Sequence, residues 1–180
     1  MKYGIILYKN CIKYQNCLMK FGMILTLIKE DEKVMNIRDM NIDDIKRVID
    51  LYINYYNEIE KSCWTEKTAY KRIHQVLTIE DSYSLIMEDA ENKVVGFVMG
   101  YFKQYDDILG YCLEEIIIKY NEQNKGFGRE LLNEIEKRVV EKGASCIELQ
   151  AVNDKMHSYF YCKAGYLNSD SFVNKVKWFD

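Results

Sequence analysis

Between Val34 and Trp178 the apolar residues switch repeatedly between strand and helix spacing, and the order of those switches leaves few folds open. Val34–Arg38 alternates as a short strand. Asn41 then offers an N-cap, with Asp43 and Asp44 in the first turn. Ile45, Val48, Ile49, Tyr52 and Ile53 recur three and four apart, which predicts a helix from Asp43 to about Glu60. Ser62 or Thr65 can cap a second helix over Lys67–Leu77, whose buried face holds Ala69, Ile73 and Val76. Tyr83–Glu88 and Val94–Phe102, joined by the polar turn Asp89–Asn92, predict a β-hairpin. Tyr111–Ile118 is a further strand, followed by a glycine-containing loop over 121–128. Helix Arg129–Glu141 stops at Gly143, strand Cys146–Val152 follows, and helix Lys155–Lys163 ends at Gly165. Ser171–Trp178 alternates as a last strand. The order β-α-α-β-β-β-α-β-α-β, with no linker inside it, predicts one mixed α/β sheet domain.

Charge narrows the partners. Residues 1–34 hold six lysines against three acidic residues, so the remaining 19 basic and 25 acidic side chains give the body a charge of −6 within a total of −3. An acidic body disfavours nucleic acid, whose phosphates call for a basic face, and suits a cationic small molecule or a basic protein tail. Lys9, Lys13 and Lys20 break the first 34 residues below the length of a membrane span, and Phe21–Ile28 lacks a small-residue cleavage site after it. Residues 1–34 are therefore expected to be an extension, either an added element or sequence ahead of a start at Met35, with an amphipathic anchor as the alternative. No membrane association is expected. Six cysteines without a CxxC pair, and only His74 and His157 beside them, predict no structural zinc or other metal and reduced thiols in a cytoplasmic protein. Cys112 and Cys146, inside apolar runs, are expected as small buried side chains. The chain has no proline, so its turns fall to Gly, Asn, Asp and Ser.

The segment from Leu113 to Arg129 carries the chemistry. An apolar strand end, Ile116-Ile117-Ile118, runs into a polar loop containing Gly126 and Gly128 and then opens a helix. Free N–H groups at a helix start attract anions, and glycines let the main chain approach a ligand closely. Lys125 and Arg129 add positive charge. Neither a nucleotide P-loop (GxxxxGK[ST]) nor GxGxxG is present. By spacing alone, an anion site and a plain strand-to-helix turn fit equally.

Gln123-Asn124-Lys125-Gly126-Phe127-Gly128 resembles the Q/R-x-x-G-x-G/A signature of the GNAT superfamily of acyl-CoA N-acyltransferases. The preceding strand with Glu114 and Glu115 is similar to that family's fourth strand, and the hairpin Leu85–Met99 to its second and third. The segment from Asn153 through Phe160-Tyr161-Cys162-Lys163-Ala164-Gly165-Tyr166 resembles its late "N…FYxKxGF" stretch. The resemblance spans about residues 35–180. It implies a mixed, mostly antiparallel sheet flanked by helices, whose fourth and fifth strands splay around acetyl-CoA as co-substrate. It further implies that the amides of 123–128 hold the pyrophosphate, with Arg129 beside them. Main-chain groups of Ile116–Ile118 would pair with the pantetheine arm, and Asn153 or Asp154 would touch that arm from the fifth strand. Asn124 replaces a common glycine, which Asn tolerates because it enters positive φ readily. The usual proline after the fourth strand is Tyr120 here.

Acetyl transfer to an amine needs a neutral nucleophile. An alkyl ammonium of pKa ~10.4 is neutral about once in 2,500 molecules at pH 7, a shortfall of roughly 4–5 kcal/mol that a carboxylate can help meet. Neighbours in a strand face opposite sides of the sheet, so one of Glu114 and Glu115 is expected to face the cleft. The resemblance assigns proton acceptance to Glu114, with Glu115 as alternative base or acceptor contact, and the general acid to Tyr161, in register with Gly165. His157 is expected at the acceptor lip. The resemblance thus implies an N-acetyltransferase acting on a primary amine of a small molecule or peptide, with a small, cationic acceptor expected beside Tyr52, Tyr55, Tyr56, Glu58, Glu60 and Trp64. A noncatalytic CoA-binding regulatory module and a protein N-terminal or lysine acetyltransferase are the alternatives. The last strands of such domains often meet a second copy, which allows a homodimer.

Overall fold

The computed structural model describes residues 34–170 and 173–179; the expected extension over residues 1–34 lies outside them, apart from Val34. Among the described residues, five strands form one sheet in the order β1-β2-β3-β4-β5. They are β1 (Asn36–Asp39), β2 (Ser82–Glu88), β3 (Val94–Gln104), β4 (Leu109–Ile118) and β5 (Cys146–Leu149). The first four pair antiparallel, and β4 with β5 is the parallel pair. The helices are α1 (Ile45–Glu58), α2 (Glu66–Leu77), α3 (Phe127–Glu141) and α4 (Lys155–Lys163).

The helix starts follow local chemistry. Asn41 accepts a hydrogen bond from the Asp43 amide while Asp44 reaches back to the Asn41 amide, a reciprocal cap over a short 3-10 turn that leads into α1. Thr65, not Ser62, caps α2, again reciprocally, with Thr68. The apolar stripes of α1 (Ile45, Val48, Ile49, Tyr52) and α2 (Ala69, Ile73, Val76) cover one face of the sheet, meeting Phe97, Met99 and Ile117. Leu131, Leu132, Ile135 and Val139 of α3 cover the other face, against Val98, Tyr111 and Leu113. Each such buried aliphatic side chain contributes roughly 1.5–3 kcal/mol of transfer free energy, so these stripes clamp the sheet from both sides.

Two expectations fail at the far edge. β5 ends at Leu149 instead of Val152, and Cys146 on it is exposed, because β5 is the last strand of the sheet. The alternation of Ser171–Trp178 forms no strand over its described part. Val173, Val176 and Trp178 all stay exposed, and a strand pattern with no buried face to point toward has nothing to hold it.

Candidate active site

β4 and β5 pair only from Gly110–Leu113 to Cys146–Leu149. Beyond Leu113, β4 continues five residues without a neighbour on that side, so the two strands part. Lys119 donates its amide to Val95 of β3. By the alternation of an antiparallel ladder, Ile118 and Ile116 turn their main-chain groups to the open edge and Ile117 turns its own to β3. The Ile118 carbonyl accepts Gln123 Nε2 at 3.0 Å, which leaves the Ile118 amide and both groups of Ile116 facing the gap. The Ile117 side chain is buried under α1 and α2.

The loop after β4 is built to present amides. Asn124 has φ 61° and Gly126 φ 93°, both left-handed, and Gly126 is the N-cap of α3. The first helical bond runs from the Glu130 amide to the Gly126 carbonyl. Among the described residues, no acceptor meets the amides of Asn124, Lys125, Gly126, Phe127, Gly128 or Arg129. Alternating left-handed residues at a helix start make a concave anion nest, and the helix dipole adds partial positive charge there. Lys125 Nζ pairs with Glu122 at 3.2 Å. Arg129 is turned elsewhere than its charge suggests: Nη2 donates to the Phe160 carbonyl at 3.2 Å, tying α3 to α4.

The acidic pair departs from expectation. Glu115 opposes Met99 while Leu113 opposes Gly100, so Glu114 is the extra residue of a β-bulge. Tyr111 and Leu113 point toward α3, yet Ile117, of the same parity, points toward α1 and α2. The bulge has swapped the faces, and both carboxylates now reach the same guanidinium. Arg72 Nη2 of α2 lies 2.5 Å from Glu114 Oε2 and 3.3 Å from Glu115 Oε1. Glu115 is 9% exposed, and both its oxygens are engaged: Tyr56 donates to Oε2, while Tyr52 lies 3.4 Å from Oε1. Burial pushes the Glu115 carboxyl up, with Tyr56 and Arg72 pulling against it. Glu114 is the more open of the two, and its carboxylate also meets the Cys112 thiol at 3.6 Å.

Tyr161 stands on α4, between the rings of Phe160 and Tyr166. Burial, then the nearby Tyr55 and Glu115, push its hydroxyl up to about 12, so it keeps its proton at neutral pH. Asp154 caps α4 by accepting the His157 amide and pairs with His157 Nδ1, each at 2.8 Å, so its carboxylate is committed to the helix. Asn153 is exposed beside it. Tyr55 and Glu58 also line a groove of about 730 Å³ between α1 and the segment Lys119–Asn121. Arg72 escapes a reading of the sequence; its only signal is its place beside the buried Ile73 on the flank of α2.

The chain has relatives. The acetyltransferase (GNAT) family model matches residues 45–166. An uncharacterised Bacillus subtilis (strain 168) protein, YxbD, is 33% identical over 98 residues, which are 54% of this chain and 57% of that protein, so the match spans little more than half of the relative's length. A possible acetyltransferase from Clostridium difficile 630 superposes with a TM-score of 0.70 at 15% identity, over 82% of this chain and all of that one. Glucosamine-6-phosphate N-acetyltransferase from Arabidopsis thaliana does so with a TM-score of 0.62 at 15% identity, over 82% of this chain and all of that one. Likeness at such identities is likeness of fold, and the family match, which runs from α1 through α4 and takes in β2 to β5, carries the assignment. The chain belongs to the acetyltransferase (GNAT) family, whose members are acetyl-CoA-dependent acetyltransferases.

Proposed function

We propose that this protein moves the acetyl group of acetyl-CoA directly to a primary amine of a small molecule, with Glu114 as proton acceptor and Tyr161 as proton donor. The observation that carries this reading is the conjunction, in one cleft, of the unpaired amides of 124–129 and the open edge of β4. The amides suit a pyrophosphate, and the free main-chain groups of Ile116 and Ile118 suit the amides of a pantetheine arm, as one strand suits another.

Glu114 takes the base role because Glu115 is buried and held by Tyr56 and Tyr52, whereas Glu114, which shares Arg72 with it, is the more open carboxylate. Glu114 receives the proton of the bound ammonium, directly or through a water. The freed nitrogen lone pair forms the N–C bond to the acetyl carbonyl carbon, and the C–S bond breaks toward sulfur. Tyr161 supplies the proton to the departing thiolate, and the second N–H proton, lost from the nitrogen as the amide forms, restores the Tyr161 hydroxyl, so an amide and a free thiol leave. The acceptor enters beside Tyr55, whose ring offers a face to an ammonium; the groove along α1 that Tyr55 also lines carries both signs of charge, Asp50 and Glu58 with Arg47, Lys93 and Lys119. Asn153 contacts the cofactor arm; Asp154 serves it indirectly by fixing the start of α4.

Thiol release from acetyl-CoA, measured with a panel of primary amines, tests this. Tyr161→Phe and Glu114→Gln are each expected to lower kcat by about 10²–10⁴. Unchanged rates in both variants would overturn the assigned acid and base.

A further inference from the structure

We propose that Arg72 is a positioning residue of acetyl transfer, holding Glu114 and Glu115 side by side on the acceptor face of β4 so that Glu114 stays available as a carboxylate. The inference rests on the reading of Glu114 as the proton acceptor. Its geometry is independent of that reading.

The bulge at Glu114 creates an electrostatic problem that an ordinary strand avoids. In a regular strand the two glutamates would face opposite sides of the sheet. Here they share a face, and like charges in one site push a proton onto one of them. The groups facing the pair come from every neighbouring element. Tyr52 and Tyr56 reach Glu115 from α1, with Tyr55 nearby. Tyr101 of β3 and Cys112 of β4 lie beside Glu114, and Tyr161 faces the cleft from α4. All of these are neutral at pH 7. Among the described residues, Arg72 is the one cation in contact with either carboxylate.

α2 aims this cation. Ala69, Ile73 and Val76 seat the helix on the sheet, and Arg72, on the flank of that face, reaches across to β4. One terminal nitrogen serves both carboxylates. The Arg72 side chain is 31% exposed and that of Glu114 24%, so the bridge borders the cleft and water. Whatever this part-buried bridge adds to stability, its effect on which carboxylate carries a proton is local and direct.

The test uses the full chain and one fixed amine, so that the acceptor's own ionisation cancels. kcat/KM is followed from pH 5.5 to 9.5 for wild type, Arg72→Gln and Arg72→Lys, with acetyl-CoA affinity measured by calorimetry. Arg72→Gln is expected to move the acidic limb up by about one pH unit or more. Its activity on the acidic limb then falls by up to about tenfold and recovers at higher pH, with the loss in kcat and the acetyl-CoA Kd unchanged. Arg72→Lys restores the limb. A uniform loss across pH with an unmoved midpoint would overturn the proposal, as would no loss at all. Carbon-13 titration of the glutamate carboxyls separates the two readings. If wild type turns over no amine, the transferase reading falls. An Arg72→Gln protein whose Glu114 carboxyl takes up its proton at higher pH than in wild type supports the positioning role, and one whose Glu114 titration is unmoved refutes it.

Discussion

Asn57 grips the main chain of Trp64 at two points: Nδ2 donates to the Trp64 carbonyl at 2.9 Å, and Oδ1 accepts the Trp64 amide at 2.7 Å. This pincer closes the connection between α1 and α2 and fixes the indole ring. The ring meets Tyr52 edge-on at 5.1 Å and leans on Tyr56 at 6.0 Å, the two phenols that reach Glu115. A loop contact thereby sets the walls of the acidic site.

Asn57→Ala removes both bonds and leaves the Trp64 amide and carbonyl to water. The expected cost is about 1–2 kcal/mol by urea unfolding. Asn57→Asp keeps the acceptor for the amide and loses the donor, so it falls between. Hydrogen exchange at the Trp64 amide reports the contact itself: protection is lost in the alanine variant and kept in the aspartate one. Equal protection in all three proteins would show that the pincer does not hold the loop.

The two signature glycines are not equivalent. Gly126 adopts φ 93°, where a Cβ is strained although nothing lies within 4 Å of it. A Cβ on Gly128 would meet Phe160 Cε2 at 3.5 Å and Ile118 Cγ1 at 3.6 Å, which are ordinary contacts. Gly126→Ala should therefore cost about 1–2 kcal/mol and weaken CoA binding by distorting the amide nest. Gly128→Ala should leave both nearly unchanged. Thermal unfolding and calorimetry with CoA decide, and a reversed order of the two variants would contradict the loop geometry.

The same loop shows how far local chemistry carries. Asn124 was expected to accept a positive φ and does so; the caps at Asn41 and Thr65 and the stripe Ile45–Val48–Ile49–Tyr52 are likewise set by residues within a few positions of one another. The bulge at Glu114 could not be foreseen in that way. Nothing in Leu113-Glu114-Glu115-Ile116 marks it, because it arises from the register with Met99 and Gly100, fourteen or more residues away. Arg72 was hidden for the same reason: its partners lie on a different element. The alternation of Ser171–Trp178 misled in the opposite sense, since a period of two makes a strand only where another strand or a core receives it.

Gly100 is where the bulge can be tested. A Cβ there would collide with the Cys112 carbonyl oxygen and lie 2.6 Å from the Tyr111 hydroxyl, which itself donates to the Tyr83 carbonyl at 2.7 Å. β3 and β4 approach this closely only because that side chain is missing. Gly100→Ala must push the strands apart beside Glu114, at about 1–3 kcal/mol. It should also loosen the Arg72 contact with the pair, so acetyl transfer falls even where the protein remains folded. Unaltered stability and activity would mean that the register across β3 and β4 differs from the one described.

Acid stability should be set by a second carboxylate cluster, distinct from the Glu114–Glu115 pair. Arg38 of β1 bonds Asp44 at 2.6 Å and Glu88 of β2 at 3.0 Å, and Arg47 of α1 also contacts both, so the cluster ties two strands to a helix. The Arg38 hydrogen bond holds the Asp44 carboxyl down to about 2, below its ordinary 3.8. Burial pushes Glu88 up, but the bonds from Arg38 and Arg47 outweigh it and leave that carboxyl low as well. A carboxyl depressed by folding contributes stability above its unfolded pKa and loses it as pH falls toward the folded one. The window from Asp44 therefore runs from about pH 4 down to about pH 2, and its contribution is about 1–2 kcal/mol. Urea midpoints for wild type should hold steady between pH 5 and 8 and fall through that window. Asp44→Asn should lose the increment at neutral pH and show a shallower fall below pH 4. A parallel acid limb in the variant would assign the acid sensitivity to other carboxylates.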